Sequence, residues 1–275
     1  MKYDLTQARK CIETLDKRRF DRALLGSGDA FRHIVSLVPL LLHLNHPALP
    51  GYVEDAPAGI ADFILSNYQQ NFLSKEHPEL VEDVQSAVNS DAVFAPILGI
   101  YVMGSFGSIS QTSASDLDIW ICHQDDLSEQ DQQRLAEKTK KITQWASTFH
   151  VEMHFYLMTQ KRFRNERYSD PLTKENSGSA QYMLLLEEFY RSAVRLAGKP
   201  LLWLHLWVED EKQYEAEVAR LVAEGELNPN DWVDFGGLGQ FSASEYFGAS
   251  LWQLYKGIDS PYKSVMKILL LETYA

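Results

Sequence analysis

The stretch GIYVMGSFGSISQTSASDLDIWICHQ, Gly99 to Gln124, decides how the chain reads. An apolar run ends at Gly104-Ser105, small and polar residues follow, and a second apolar run then carries Asp116 and Asp118. Period two along a strand puts Asp116, Asp118 and Trp120 on one face and Leu117, Ile119 and Ile121 on the other. The apolar face can bury against a helix layer. The opposite face presents two carboxylates about 6–7 Å apart, which repel unless something compensates them. Divalent cations do so. An oxygen-rich pair of this kind suits Mg²⁺, and two-metal sites space their ions about 3.5–4 Å apart.

The Gly-Ser turn supplies the complementary half. Gly104 lets the backbone approach a ligand closely, and Ser105 is expected to cap a following helix whose free N–H groups bind phosphate. Strand, turn and acidic strand together describe a nucleoside triphosphate with its metals. The bland alternative is a polar turn before a half-exposed strand. On HVEMHFYL, His150–Leu157, alternation sends Val151, Met153, Phe155 and Leu157 to the core. His150, Glu152, His154 and Tyr156 share the other face, and Glu152 is the candidate third carboxylate, as metal ligand or general base. His150 and His154 would stand about 13 Å apart along a strand, too far to share one zinc ion. Trp120, on the face of the aspartates, suits either stacking on a base or forming a wall.

Three segments follow from the change of period. Residues 1–95 read as mainly helical, with Leu5, Cys11, Leu15, Phe20, Leu24 and Leu25 at roughly helical intervals and a break at HPALPG, His46–Gly51. Residues 96–160 carry three strands, Ile97–Met103, Leu117–Cys122 and Val151–Leu157. Between the last two lies a helix capped by Ser128 and Asp131, with Leu135, Ile142, Trp145 and Phe149 along one face. Residues 161–275 read as helical again over Tyr182–Leu196, Glu211–Ala223, Ala243–Lys256 and Pro261–Tyr274. The fold class is therefore α+β, a small mixed sheet flanked by largely helical N- and C-terminal segments. The final helix stops at LLLETYA with its apolar face unfinished, as though the sequence were part of something longer.

Composition narrows the partners. The 275 residues are 45% hydrophobic and carry a formal net charge of −12, with no basic stripe of the sort that tracks a nucleic-acid backbone. No apolar run is long enough to span a bilayer, and MKYDLTQARK lacks a signal-peptide core. Two cysteines, Cys11 and Cys122, fit a reducing cytoplasm. A small anionic substrate fits this balance, provided local cations meet it. Lys263 reads as the third residue of the last helix, after Ser260 as cap and Pro261; a cation there opposes the helix dipole unless an anion is bound. Lys256 ends the preceding helix and suits the dipole without any ligand. DFGGLGQFSASEYF offers a glycine-rich turn and a capping box, Ser242 with Glu245. Arg191 and Arg195 read as helix-surface partners of Glu187 and Glu188, and ENSGSAQ, Glu175–Gln181, as a loop.

Gly-Ser, ten residues, then Asp-Leu-Asp-Ile and an acidic strand resembles the nucleotidyltransferase superfold of the DNA polymerase beta type. Longer words bring the chain closer to the class I adenylate cyclases of enterobacteria: YVMGSFGSISQTSASDLDIWICH, LLLEEFYRSAVRLAGKPLLW and FSASEYFGASLWQLYKGIDSPYKSVMKILLLETYA. RALLGSGDAFRHIVSLVPLLLHLNHPALPGYV adds to these near the start. The resemblance implies conversion of ATP to cyclic AMP and pyrophosphate with Mg²⁺, in two ions, or Mn²⁺ in its place. It carries Gly104 and Ser105 to the triphosphate, Asp116 and Asp118 to the metals, and Glu152, less closely, to the third carboxylate. It also implies a C-terminal regulatory region absent from this sequence. Two other readings stay open, an intermolecular nucleotidyltransferase and a silent nucleotide-sensing module.

Overall fold

The computed structural model describes residues 4–81, 84, 95–112, 115–165, 188–206, 208, 211–237 and 243–274. Its centre is a four-stranded mixed sheet in the order β3-β2-β1-β4: β1 is Ile97–Met103, β2 Leu117–His123, β3 Met153–Met158 and β4 Val194–Gly198. β1 pairs antiparallel with β2 and β4, while β2 and β3 run parallel. The parallel pair needs a crossover, which α4 (Glu129–Ser147) provides. Ser128 begins α4 as the sequence indicates, accepting the Asp131 N–H at 3.1 Å.

Each face of the sheet packs against a buried apolar layer. On one, Ile100 and Val102 of β1 and Leu117, Ile119 and Ile121 of β2 pack with α4 and with α2 (Asp29–His43). Helix α2 is apolar nearly all round, from Ile34 to Leu42, which is why it lies inside rather than on the surface. Helix α1 (Leu5–Leu25), capped by Asp4, and α3 (Asn67–Glu76), opened by a Ser66–Gln69 capping box, complete the N-terminal part. The apolar period assigned to α1 is only partly used: Phe20 and Leu24 meet the core, whereas Leu25 is 81% exposed.

The other face meets an aromatic layer: Phe163 from α5 (Gln160–Asn165), Phe189, Tyr190, Trp203, Tyr214 from α6 (Glu211–Ala223), Trp232 and Phe235. Trp120 belongs here. It is 1% exposed, stacks on Phe189 at 4.4 Å and on Tyr156 at 5.3 Å, and its Nε1–H donates to Met103 Sδ at 3.1 Å. Its ring is closed off within this buried layer and is not part of the lining of the cavity that opens at the Gly104 turn, so of its two sequence readings base stacking does not fit. Helices α7 (Ala243–Lys256) and α8 (Pro261–Tyr274) form a pair with the bounds that periodicity indicates.

Two expectations need correction. No helix follows Ser105; residues 104–110 form turns, closed by Ser108 N–H to Ser105 O at 2.9 Å. Gly104 and Gly107 hold φ of +79° and +65°, and their left-handed backbone breaks any helix. The helix expected over Tyr182–Leu196 is helical only at 188–192 of its described part and then becomes β4. Arg195 therefore sits on a strand. It pairs with Glu13 of α1 at 3.2 Å, not with a glutamate of its own helix. Residues 175–187 and the Ser242–Glu245 capping box lie outside the described residues and side chains.

Candidate active site

The antiparallel register sets Met103 opposite Asp118, so the chain leaves β1 at Gly104 directly beside that carboxylate. A Cβ at position 104 would fill the gap in ordinary contact, 3.5 Å from Glu188 Oε1 and 3.9 Å from Asp118 Oδ2. Glycine thus keeps open the space between two carboxylates as well as permitting the positive φ. The turn is braced from the 188–192 segment. Ser192 Oγ accepts the Gly104 N–H at 2.8 Å and donates in turn to the carbonyl of Glu188. Arg19 of α1 ties both ends, donating to Ser192 O at 2.8 Å and to Phe106 O at 2.7 Å. Gly107 is the close-approach point, where a Cβ would stand 2.2 Å from the carbonyl oxygen of Arg19.

Asp118 is half-buried, and its carboxyl is pushed up to about 6. Burial is the main cause, followed by the negative charge of Glu188, with Asp116 adding to it and His154 and Lys267 opposing. The Tyr156 hydroxyl donates to Asp118 Oδ1 at 3.4 Å. Asp116 is exposed at the mouth of β2. Parallel pairing of Leu117 with Met153, and the Leu117 N–H to Glu152 O bond of 3.0 Å, bring Asp116 alongside Glu152. Asp116, Glu152 and His154 offer ligand atoms that all lie within 4.8 Å of one another, and His154 Nε2 is 3.3 Å from Glu152 Oε1. Carboxylate oxygens with one imidazole are a hard-to-borderline donor set, compatible with Mg²⁺ or Mn²⁺.

Beside this acidic edge, a cavity of about 500 Å³ opens between the Gly104 turn and α8. Gly104, Ser105, Glu188, Gln253, Lys263 and Lys267 contribute to its lining. Lys267 Nζ lies 3.1 Å from both carboxylate oxygens of Glu188, and that carboxylate foremost holds the ammonium's pKa up. The structure therefore brings Gly104, Ser105 and Lys263 to one cavity, with Asp118 next to Gly104, while Asp116 and Glu152 sit side by side at the ends of β2 and β3 and are not part of its lining. Lys256 is exposed and lies outside that lining, 5.3 Å over the ring of Trp252.

Sequence reasoning missed Glu188 as a cleft residue, together with Lys267, Ser192 and Arg19. For Lys267 a signal existed, since it follows Lys263 by one helical turn and shares its face. Arg19 and Ser192 carried none, because both act on backbone atoms far away in sequence.

A family model described as the adenylate cyclase NT domain matches residues 4–204, and one described as the second domain of class-I adenylate cyclase matches residues 241–275. A protein named adenylate cyclase from Haemophilus influenzae is 68% identical over 280 residues, covering all of this chain and 33% of that protein. Those so named from Pasteurella multocida and Escherichia coli are 62% and 45% identical, over 100% and 96% of this chain. A crystal structure of a toxin–antitoxin with AMP-PNP aligns at 16% identity and a TM-score of 0.22, over 48% of this chain and 76% of that one. This chain belongs to the class I adenylate cyclase family. It spans about a third of the length of the curated relatives it matches.

Proposed function

We propose that this chain carries the catalytic part of an adenylate cyclase, converting ATP to 3′,5′-cyclic AMP and pyrophosphate. One observation supports this above all: in a member of this family, Asp118 stands beside the Gly104 turn, and that turn lines a cavity together with Lys263 and Lys267. Asp116, Asp118 and Glu152 would hold Mg²⁺, in two ions, or Mn²⁺ in its place. When bound, such ions neutralise polyphosphate charge and make the ribose 3′-hydroxyl more acidic.

The residues of the chain divide the remaining work. Gly104 and Ser105 lie against the triphosphate, and Lys263 meets its charge from α8. The 3′-oxygen attacks the α-phosphorus, forming the O3′–P bond as the bond to pyrophosphate breaks. Glu152, exposed beside Asp116, would serve as metal ligand or as the base that accepts the hydroxyl proton. The residues around the cleft hold sugar and phosphate together, so attack within one molecule gains from proximity. Lys256, over Trp252, is left without a role. The substrate is a nucleotide rather than a nucleic acid, and the setting is cytoplasmic.

The test is direct. The protein is incubated with ATP and Mg²⁺ alone, and cyclic AMP with equimolar pyrophosphate is the expected product. Nucleotide bound without turnover, or transferred only to an added acceptor, would overturn the reading.

A further inference from the structure

Lys267 and Glu188 meet in the cleft although 79 residues separate them, and they do so through both carboxylate oxygens. Glu188 is not the only group this ammonium serves. After Glu188, the charges that favour its protonated form are those of Asp118 and Asp116. One lysine therefore compensates three carboxylates. The same lysine lines the cavity shared by Gly104, Ser105 and Lys263, where the phosphates of a nucleotide would lie. A polyphosphate entering that cavity competes with Glu188 for the ammonium.

The two partners are not equally free to move. Glu188 directly precedes Phe189, whose ring is fully buried against Trp120, and its own carbonyl is held by the Ser192 hydroxyl. Lys267 reaches the carboxylate on a flexible four-carbon stem from α8. The lysine is thus the side chain able to change partner.

We propose that Lys267 is a substrate-contacting cation stored on Glu188, which passes to the polyphosphate when a nucleotide enters. Its departure removes that counter-charge from between Glu188 and Asp118, a cost that bound dications offset. Nucleotide and metal binding are thereby coupled, each strengthening the other. This inference rests on the ATP reading above and adds to it a specific exchange of charge partners.

The decisive measurement is binding of a fluorescent ATP analogue in EDTA, so that neither turnover nor metal enters the readout. Wild type is compared with Glu188→Gln, Lys267→Met and Lys267→Arg, with thermal unfolding recorded for each. Exchange predicts opposite signs: Glu188→Gln binds about fivefold tighter, Lys267→Met about tenfold weaker, and Lys267→Arg close to wild type, as expected for one charge-assisted hydrogen bond. Adding Mg²⁺ should then improve wild-type affinity more than that of Glu188→Gln. An ion pair that only staples α8 to the 188–192 segment predicts that Glu188→Gln and Lys267→Met both weaken binding as both lose stability. That pattern, or an unchanged Lys267→Met, overturns the exchange while leaving the ATP reading intact. A wild-type protein that binds no nucleotide with or without Mg²⁺ overturns both.

Discussion

Trp120 and Phe189 stack with ring centroids 4.4 Å apart and planes 18° from parallel, joining the strand of the aspartates to the segment that carries Glu188. Stability and site geometry are linked through this contact. Trp120→Ala should cost about 3–5 kcal/mol, in the range for emptying a large buried aromatic site. Trp120→Phe should cost much less and retain the substrate KM, since no base stacks there. Denaturant unfolding and steady-state kinetics on both variants check this. A raised KM with unchanged stability in Trp120→Phe would return the indole to the nucleotide.

Asp118→Asn separates function from stability. Turnover should fall by at least about a hundredfold, as expected for removal of a charged group from the reacting centre. The fold should meanwhile gain about 1 kcal/mol at pH 7, because a desolvated charge facing Glu188 is gone. The sign follows from linkage. The native carboxyl titrates near 6 against 3.8 for the ordinary group, so the native state binds more protons between those values. Wild-type stability is accordingly lost as pH rises through that window. The advantage of the variant should vanish below pH 4, which thermal melts across pH 3.5–7 would show.

Gly104→Ala tests the open space beside the carboxylates. Alanine at φ +79° is strained by about 1 kcal/mol, and its methyl group lies in the gap between Glu188 and Asp118. Nucleotide affinity should fall more than that modest destabilisation explains. Equal, small effects on both would remove Gly104 from the binding surface.

Lys138 offers a prediction away from the cleft. It is 1% exposed, donates to Leu44 O at 2.9 Å and to Asn45 Oδ1 at 3.1 Å, and burial lowers its pKa to about 8. Between pH 8 and 10.5 the native state binds fewer protons than the unfolded chain, so stability should rise with pH through that window. Lys138→Met should lack this alkaline rise and keep wild-type activity. Urea titrations at pH 7.5 and 9.5 distinguish the two.

The sequence made legible whatever is decided locally. β-Branched and aromatic runs with partial alternation located β1, β2 and β3, and Ser128 marked the start of α4 because a cap acts within three residues. The acidic edge of Asp116 and Glu152 was readable because neighbouring strands put equivalent positions side by side. What escaped was decided at long range. Val194–Gly198 follows helical apolar spacing, yet its backbone pairs with β1, an interaction that no local pattern reveals. The helix expected after Ser105 failed because Ser192 and Arg19 take over the bonding of that turn. Glu188 looked like an ordinary surface charge because its partner lies on α8.

The edge position of β4 also sets an order of assembly. β2, α4 and β3 close over short separations, whereas Val102 meets Val194 only across roughly ninety residues, and such distant closure comes late. The half of the cleft that bears Asp116, Asp118 and Glu152 can thus form before the strand that follows Glu188 has docked. During synthesis that half would wait for β4 and the Glu188 segment ahead of it, and a slow refolding phase should report the arrival of the last strand rather than of the first three.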